Sequence, residues 1–456
     1  MPRPRSDSVS GWGRVADPGR VVWAERLEAA TDGVALLRGL GRSYGDSASP
    51  PSDRPVVLAT PLADRILAFD PASGLLTAEA GLSLYALNRL LHPRGYFVPV
   101  TPGTQFVTLG GMVAADVHGK MHHSAGTIGR HVRALRMRIA DGETGLQTLT
   151  CSPTVHADLF WATVGGMGLT GAILDVTLQL ERIPSPWIEQ EVTKHGNLDE
   201  LLSALQTASA TWPSTVAWID CLRTGAAMGR GVLFAGRWAP ADIAPAHSPR
   251  WARRGVAFPL ESPIDLLTPW TVRIFNEAVY RKQLRARVRG LTSPEQYFYP
   301  LDIVKDWNLA YGRRGLTQHQ AVLPREAGSA AVRAFLQELT RTEAASFLCV
   351  LKDCGDEGGG LLSFPRPGTS IAIDLPVRRD TPAVIARLNA AAHAFGGRIY
   401  LAKDRFTTAA DFAAMEPRLP AFLEARRRWD PHLRFRSAQS VRLFGDPCEA
   451  ARPGAR

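Results

Sequence analysis

The segment Arg38-Gly39-Leu40-Gly41-Arg42-Ser43-Tyr44-Gly45-Asp46 follows directly on the apolar run Val34-Ala35-Leu36-Leu37. The pattern predicts a buried strand over 34–37 that ends in a tight, glycine-rich turn. Backbone N–H groups converge in such a turn and suit an anion such as a pyrophosphate. The glycine spacing differs from the GxGxxG fingerprint of Rossmann domains, because three residues separate Gly41 from Gly45.

Three further glycine-rich segments follow within the first 171 residues. They are Thr101-Pro102-Gly103-Thr104, Gly110-Gly111 with Asp116-Val117-His118-Gly119-Lys120, and Gly165-Gly166-Met167-Gly168-Leu169-Thr170-Gly171. Each of them alone is typical of an ordinary turn. Four together predict a backbone that approaches a long ligand closely, because a missing Cβ removes the steric barrier to that approach.

Composition and charge restrict the class of protein. The chain has 456 residues, which suggests two or three domains, and its 45% hydrophobic and 21% charged residues are those of a globular protein. The net charge of +10 indicates an anionic partner, such as nucleic acid, an anionic membrane or a phosphorylated substrate. A genomic bias toward arginine explains the same charge without any partner. The sequence carries no zinc-finger, basic-zipper or RNA-binding signature, so we expect no nucleic-acid ligand.

The five cysteines, at positions 151, 221, 349, 354 and 448, are odd in number and form no CxxC pair. We therefore predict reduced structural thiols, with neither a disulfide framework nor a metal site. No apolar run approaches the ~20 residues that span a bilayer. The first eight residues contain no apolar signal sequence, so we expect a cytoplasmic protein.

Outside the glycine segments, residues 20–180 alternate strand-like runs with short helical stretches, as in an α+β protein. Ser83 is the predicted N-cap of a helix over Leu84–His92. The prolines at 184 and 186 mark one break in the chain, and Gly396-Gly397 marks a second. We predict boundaries after residues 183 and 397.

Several segments together resemble the PCMH-type FAD-binding domain of the vanillyl-alcohol-oxidase superfamily. These segments are Arg38–Asp46, Pro102–Thr104, Val107–Gly111, Asp116–Gly126 and Phe160–Gly171. Within the superfamily, the chain is most similar to the branch that oxidises a polyprenylphosphoryl ribose. The segments that extend this similarity over nearly the whole chain are Gly11–Arg14, Tyr299–Asp302, Leu348–Lys352, Leu362–Pro365 and Tyr400–Asp404.

The resemblance implies an α+β, two-domain fold. Residues 1–183 are the expected N-terminal part of the FAD-binding domain, and 184–397 the substrate-capping domain, built on an antiparallel sheet. Residues 398–456 are the expected C-terminal segment that returns to the FAD domain. Members of the superfamily often tether FAD through a histidine in the first glycine loop. The resemblance puts Tyr44 at that place in this chain, so we predict non-covalent FAD.

The resemblance also implies which residues contact FAD. They are Arg38, Gly39, Leu40, Gly41, Arg42, Ser43, Tyr44, Pro102, Gly103, Thr104, Gly110, Gly111, Asp116, Val117, His118, Gly119, Ala125, Gly168, Gly171, Ile173 and Tyr400.

The expected chemistry is oxidation of a secondary alcohol, in which a hydride leaves carbon and a proton leaves the hydroxyl. Lys403 and His118 are the predicted catalytic residues, since a lysine there can stabilise a developing alkoxide or a reduced, anionic flavin. The predicted substrate contacts are Lys120, Trp218, Tyr299, Gln318, Gln320, Lys352, Ser370 and Ala372. Ala372 stands where relatives tend to carry cysteine, Ser370 where they carry a larger amide, and Phe298 replaces a tyrosine. These departures leave the exact sugar open.

The implied substrate position is the ribose 2-hydroxyl, and the implied product is the 2-keto intermediate of arabinose-donor epimerisation in cell-wall arabinan synthesis. A short-chain dehydrogenase would reduce that intermediate. The alternatives are an oxidase of a soluble sugar, polyol or nucleoside, and a catalytically silent flavin-binding scaffold. Retention of Lys403 and His118 argues against the scaffold. The electron acceptor, quinone or oxygen, and the oligomeric state stay open.

The basic segment 245–293 contains nine Arg and Lys residues from Arg250 to Arg289, interleaved with aromatic and aliphatic side chains. An ordinary loop–helix connection explains it, and so does a lid or a surface for anionic lipid headgroups and a prenyl tail. The second interpretation predicts peripheral contact with the inner membrane face, and a periplasmic location stays open as well.

Overall fold

The computed structural model describes residues 8–143, 145–249, 251, 256–258, 261–262, 267–342 and 346–448. The strands in this part of the chain are β1 (Ser8–Ser10), β2 (Ala16–Pro18), β3 (Arg20–Trp23), β4 (Leu37–Arg38), β5 (Val56–Ala59), β6 (Ile66–Asp70), β7 (Leu75–Glu79), β8 (Tyr96–Phe97), β9 (Val132–Asp141), β10 (Gly145–Cys151), β11 (Ala172–Gln179), β12 (Glu181–Arg182), β13 (Ile188–His195), β14 (Ser214–Ile219), β15 (Gly231–Trp238), β16 (Val256–Ala257), β17 (Arg287–Thr292), β18 (Val304–Lys305), β19 (Leu316–Pro324), β20 (Cys349–Cys354), β21 (Gly368–Pro376) and β22 (Arg398–Ile399). The α-helices are α1 (Leu27–Ala30), α2 (Leu84–Leu91), α3 (Leu109–Ala114), α4 (His122–Ala125), α5 (Ala157–Thr163), α6 (Leu198–Ser209), α7 (Pro269–Lys282), α8 (Pro294–Phe298), α9 (Gly328–Arg341), α10 (Thr381–His393), α11 (Ala409–Met415), α12 (Leu419–Trp429) and α13 (Ala438–Phe444).

The N-terminal part contains a five-stranded antiparallel sheet of order β10-β9-β11-β7-β6. Strand β9 alternates, with Leu135, Met137 and Ile139 buried against one hydrophobic core while arginines point outward. The predicted helix after Ser83 is α2, and the Ser83 side chain accepts a hydrogen bond from Ala86 N–H at 3.1 Å.

A small parallel sheet of order β3-β5-β4 leads into the first glycine turn. The predicted strand over 34–37 is largely wrong, because β4 comprises only Leu37 and Arg38. Leu36 is buried and its carbonyl accepts a hydrogen bond from Leu58 N–H of β5, so the pairing with β5 involves only the C-terminal end of the predicted run.

The central part of the chain forms an eight-stranded antiparallel sheet of order β17-β13-β15-β14-β20-β21-β19-β22. Helices α6, α9 and α10 cover one of its faces and form the second hydrophobic core with residues such as Leu201, Phe335 and Ile371. Since side chains alternate along a strand, the residues between these core positions point to the opposite face. The mixed helices and antiparallel sheets confirm the α+β fold class.

The chain after residue 397 begins in the eight-stranded sheet and then returns to the N-terminal part. Strand β22 pairs with β19, and Arg442 forms ion pairs with Asp46 at 2.7 Å and Asp404 at 2.9 Å. Arg405 pairs with Asp17 at 2.7 Å. These contacts support the boundaries after 183 and 397, and the division into domains stays a prediction.

Candidate active site

One cavity of about 870 Å³ lies between the glycine-rich turns and the uncovered face of the eight-stranded sheet. Most of the sequence-predicted site residues line it. They are Gly39, Leu40, Gly41, Arg42, Ser43, Tyr44, Pro102, Gly103, Thr104, Gly110, Gly111, Val117, His118, Lys120, Gly168, Gly171, Ile173, Trp218, Gln318, Gln320, Lys352, Ala372, Tyr400 and Lys403.

Arg38 fixes the first glycine turn from behind instead of lining the cavity. Its guanidinium donates hydrogen bonds to the carbonyls of Ser10 at 2.6 Å and Ala48 at 3.0 Å. Burial lowers the pKa of Arg38 to about 10. Gly41 in the same turn has a φ of +63°, a left-handed conformation that glycine adopts without strain.

Two glycines leave open space that belongs to the cavity. An ideal Cβ built on Gly103 or Gly168 would meet no atom within 4 Å, so a side chain at either position would occupy the cavity itself. Beside them, Arg42 places its guanidinium 4.0 Å from the centre of the Trp12 ring, and its buried Nε has no partner among the described residues. A glycine cradle next to an unpartnered cation fits a large anionic cofactor such as FAD.

Asp116 and Gly119 hold the backbone of the third glycine segment in place. The Asp116 carboxylate accepts hydrogen bonds from Gly129 N–H at 3.0 Å and from the Ser363 hydroxyl. An ideal Cβ on Gly119 would lie 2.0 Å from the Thr101 carbonyl oxygen, so only glycine fits there. Neither residue lines the cavity.

Three more predicted residues lie off the cavity surface: Ala125, Tyr299 and Ser370. The buried Tyr299 hydroxyl is hydrogen bonded to the Thr101 hydroxyl at 2.5 Å. The Ser370 hydroxyl accepts a hydrogen bond from Gln320 Nε2 at 3.1 Å, so it supports a side chain that does line the cavity.

His118 is a buried, neutral histidine that the capping sheet orients. Its Nε2 lies 2.8 Å from Gln320 Nε2, and its Nδ1 has no partner among the described residues. Burial lowers the pKa of His118 well below its usual range, and the charges of Lys352, His122 and Lys403 lower it further.

Lys403 lies over the ring of Tyr44, at the end of the cavity formed by the first glycine turn. Its Nζ is 4.1 Å from the centre of the Tyr44 ring. Burial lowers the pKa of Lys403 to about 7, while the charge of Asp374 acts in the opposite direction. Asp374 is buried beneath the cavity surface, where its Oδ1 accepts a hydrogen bond from Gln318 and its Oδ2 has no partner among the described groups.

The sheet face over the cavity is polar at β19 and becomes less polar toward β14. Gln318 and Gln320 line the cavity from β19. The strand register places Ala372 of β21 beside Gln320, Val350 of β20 beside Ala372, and Trp218 of β14 beside Val350. One row of adjacent side chains therefore runs across the sheet from the amide of Gln320 to the indole of Trp218.

Beyond that row much of the cavity lining is apolar, although Gln190, Lys282 and Gln283 also line it. Strands β13, β14 and β15 and helix α7 contribute this apolar wall, which consists of Val192, Val216, Trp218, Val232, Phe234 and Val279. Apart from Trp218, the sequence analysis missed these residues. Their alternation along β14 and β15 was visible in the sequence, but the strand order that assembles them was not.

The sequence analysis also missed cofactor-side residues outside the glycine segments. Thr60, Ala80 and Thr108 line the cavity beside the turns. The Thr108 side chain caps α3 and accepts a hydrogen bond from Gly111 N–H at 3.2 Å. Single small residues of this kind carry no signal in an isolated sequence.

Part of the basic segment 245–293 borders the cavity. Helix α7 contributes Val279 and Lys282 to the lining, and Gln283 follows directly after the helix. On the same element Trp270 is 68% exposed, and Leu284 just beyond it is 91% exposed. Arg250, Arg253 and Arg254 lie outside the described residues. Across the ranges that the structure covers, helices long and apolar enough to cross a membrane do not occur.

Comparison with known proteins gives one family match and three similar proteins. Residues 21–145 match the FAD binding domain family. The chain is 36% identical to the decaprenylphosphoryl-β-D-ribose oxidase of Mycolicibacterium smegmatis over 454 residues, which cover 95% of this chain and 97% of that protein. It is 32% identical to an uncharacterized protein in the mprA 5′ region of Streptomyces coelicolor, over 79% of this chain and 100% of that protein. It is 34% identical to the L-gulonolactone oxidase of Scyliorhinus torazame, over 34% of this chain and 33% of that enzyme.

Proposed function

Because this chain belongs to the decaprenylphosphoryl-β-D-ribose oxidase family, we propose that it oxidises the ribose 2-hydroxyl of a polyprenylphosphoryl ribose. The chain is an FAD-dependent oxidoreductase that acts on CH–OH groups. The reaction removes a hydride from C2 and a proton from the 2-hydroxyl, and leaves a 2-keto sugar. Bound FAD supplies the acceptor for the hydride.

The observation that carries this proposal is the continuity of the cavity from the glycine turns to the apolar wall. A free sugar or polyol has no hydrocarbon tail that could contact the valine, phenylalanine and tryptophan side chains of the apolar wall. A prenyl chain gains free energy when it leaves water for such a surface, at roughly 25 cal/mol per Å² of buried apolar area. The wall therefore supports a substrate that joins a polar sugar to a hydrocarbon tail.

In this proposal, Lys403 stabilises negative charge at the reacting centre. Its half-buried ammonium lines the cavity beside the first glycine turn, where a fixed charge acts more strongly than in water. The Tyr44 ring below it restricts the position of the ammonium.

His118 and Gln320 orient the substrate. The neutral imidazole and the primary amide of the glutamine are held together at 2.8 Å, and both line the cavity. Hydrogen bonds from this pair to the sugar hydroxyls would fix the carbon that loses the hydride, which is a contribution of positioning.

The proposed product is a reactive ketone that a second enzyme has to reduce, and we assign that step to a short-chain dehydrogenase partner. We also place the protein in the cytoplasm at the inner face of the membrane, where a lipid-linked substrate resides. The exposed Trp270 and Leu284, together with the arginines of α7 and β17, support contact with anionic lipid.

The test is anaerobic flavin bleaching with a set of related compounds. Farnesylphosphoryl-β-D-ribose should reduce the flavin, whereas ribose, ribose 5-phosphate and ribitol at equal concentration should reduce it at least a hundredfold more slowly. Mass spectrometry of the product should show the loss of two hydrogens, and borohydride reduction should return both ribose and arabinose.

Efficient reduction by a free sugar, polyol or nucleoside, with no reduction by the farnesylphosphoryl compound, would overturn the proposal. It would favour instead an oxidase of a soluble substrate. No reduction by any of the compounds, in protein that retains FAD, would favour a flavin-binding scaffold.

A further inference from the structure

Two half-buried lysines, Lys120 and Lys352, line the middle of the cavity. The Lys120 ammonium donates one hydrogen bond to the Tyr297 carbonyl and lies 4.6 Å from the centre of the Tyr297 ring. The Lys352 ammonium donates no hydrogen bond to any described residue. Neither lysine is paired with a carboxylate within the described part of the chain.

Such an arrangement is unfavourable in the absence of an anion. Removing an ammonium group from water costs several kcal/mol unless a counter-charge compensates for the loss of hydration. The second lysine adds repulsion, so that burial and the charge of Lys352 together lower the pKa of Lys120 to about 7. Burial lowers the pKa of Lys352 as well, and only the Cys354 thiol opposes that shift. The missing partner is a negative charge.

The position of Lys352 in the sheet indicates where that charge lies. On β20, Lys352 follows Val350 by two residues and points to the same face, beside Ser370 of β21. The apolar wall begins on the next strand, β14, and the two glutamines of β19 lie on the opposite side of β21. Lys352 therefore lies between the polar end of the cavity and its apolar end.

We propose that Lys120 and Lys352 form the phosphate-binding site of this enzyme, and that they hold the phosphodiester that joins the sugar to its lipid. This inference rests on the proposed function. In a ribosyl phosphodiester the phosphate is bonded to C1, next to the carbon that is oxidised. An anion held between the lysines thus places C2 toward Lys403 and His118 and the lipid toward the apolar wall.

Two consequences follow for specificity. Hydrogen bonds to charged groups are strong, so each lysine should contribute at least about a tenfold preference for the phosphodiester over an uncharged glycoside of the same shape. The bound anion should also keep both ammonium groups protonated, because an opposite charge favours the charged form of a lysine. Substrate binding then supplies a counter-charge to both lysines.

The experiment compares the wild type with the Lys120→Met, Lys352→Met and double variants. Lys194→Met is the matched control, since Lys194 is also partly buried in the capping sheet but contacts Tyr280 outside the cavity. Affinity is measured by titration calorimetry for farnesyl phosphate and for farnesol, which share the tail and differ in the anion. We expect wild type and control to prefer farnesyl phosphate, and each site variant to lose at least tenfold in affinity for it while farnesol binding stays the same.

Equal affinity of the wild type for farnesyl phosphate and farnesol would overturn the phosphate site, as would an equal loss for both ligands in the variants. Inorganic phosphate is titrated as well, to separate recognition of the anion alone from recognition of anion and tail. These measurements need no turnover, so they are independent of whether farnesylphosphoryl ribose reduces the flavin. If farnesylphosphoryl ribose does not reduce the flavin of the wild type but farnesyl phosphate still binds more tightly than farnesol, the proposed function is refuted and the phosphate-binding site is retained.

The thermal midpoint of the ligand-free variants tests the electrostatic reasoning and their folding at once. Replacement of an uncompensated, half-buried ammonium by methionine should leave the midpoint unchanged or raise it. A large fall in the midpoint of Lys352→Met would show that the lysine has a structural partner, and would contradict the proposal.

Discussion

Asp374 acts on Lys403 from beneath the cavity without lining the cavity itself. The carboxylate raises the pKa of the lysine, whereas burial and the charge of Lys352 lower it. Gln318, which lines the cavity, donates a hydrogen bond to Asp374 and so connects the buried carboxylate to the site. The protonation of Lys403 thus depends on three effects: burial and the charge of Lys352 lower its pKa, and the charge of Asp374 raises it.

This balance predicts two opposite pH shifts. If protonated Lys403 is the active form, the second-order rate constant of anaerobic flavin reduction should fall as pH rises through about 7. Asp374→Asn removes the charge that raises the pKa, so the fall should move to lower pH. Lys352→Met removes a charge that lowers the pKa, so the fall should move to higher pH. Shifts in the same direction in both variants would contradict the assignment, and Lys194→Met should show the wild-type profile.

Lys403→Met should retain FAD and lose at least about 10²-fold in the rate of anaerobic flavin reduction, because a preorganised charge at the reacting centre is removed. Stopped-flow absorbance measures the rate, and the visible spectrum measures the FAD content. An unchanged rate in protein with full FAD content would remove Lys403 from the mechanism.

The cofactor should dissociate on denaturation. Tyr44 lines the cavity at the position where a tethering histidine was expected, and a tyrosine cannot form the histidyl bond. After acid precipitation and centrifugation, the flavin absorbance should be in the supernatant. Yellow colour in the washed pellet would disprove non-covalent binding.

Gly103→Val should lower the amount of bound FAD and change the folding stability little. The built Cβ meets no protein atom within 4 Å, so the new side chain would enter the cavity instead of the core. Gly290→Val is the matched control, because a Cβ there is also unobstructed and the residue lies on an exposed strand. The flavin-to-protein absorbance ratio should fall only in the Gly103 variant, and equal ratios in both would place the cofactor elsewhere.

The basic segment 245–293 should bind anionic vesicles. Neutralising Arg250, Arg253 and Arg254 should weaken sedimentation with phosphatidylserine vesicles by roughly 1 kcal/mol per residue, and less at high salt. Trp270→Ser with Leu284→Ser should weaken it at high salt too, since the lost contribution is apolar. Neutralising Arg26, Arg133 and Arg427 elsewhere should have little effect. Wild-type protein that does not sediment with such vesicles at low salt would refute the membrane contact.

Local patterns in the sequence predicted much of the fold but not the assembly of the site. The helix after Ser83 follows from a cap and is confirmed. The strand over 34–37 is largely wrong because only Leu37 and Arg38 form the strand that pairs with β5, while Ala35 and Leu36 are buried ahead of it. A burial pattern alone does not show where strand pairing begins.

The cofactor side of the cavity was easier to predict than the substrate side for a physical reason. Close approach of backbone to ligand requires glycine, which is visible as a residue type at Gly103 and Gly168. The apolar wall requires only valine-like side chains, which occur in every core. Val192, Val216 and Val232 become neighbours through the order β13-β15-β14, which does not follow the order of the chain.

The ion pairs between the two ends of the chain affect how the protein is made. Gly45 approaches the Asp404 carbonyl so closely that a Cβ would lie 1.7 Å from it, and the Tyr44 N–H donates to the Ala402 carbonyl at 2.9 Å. Asp46 is buried, and its partner Arg442 is among the last described residues. The ribosome therefore makes the first glycine turn long before it makes the residues that hold the turn in place. A nascent chain therefore cannot complete its first glycine turn until the segment from Ala402 to Arg442 has been synthesised.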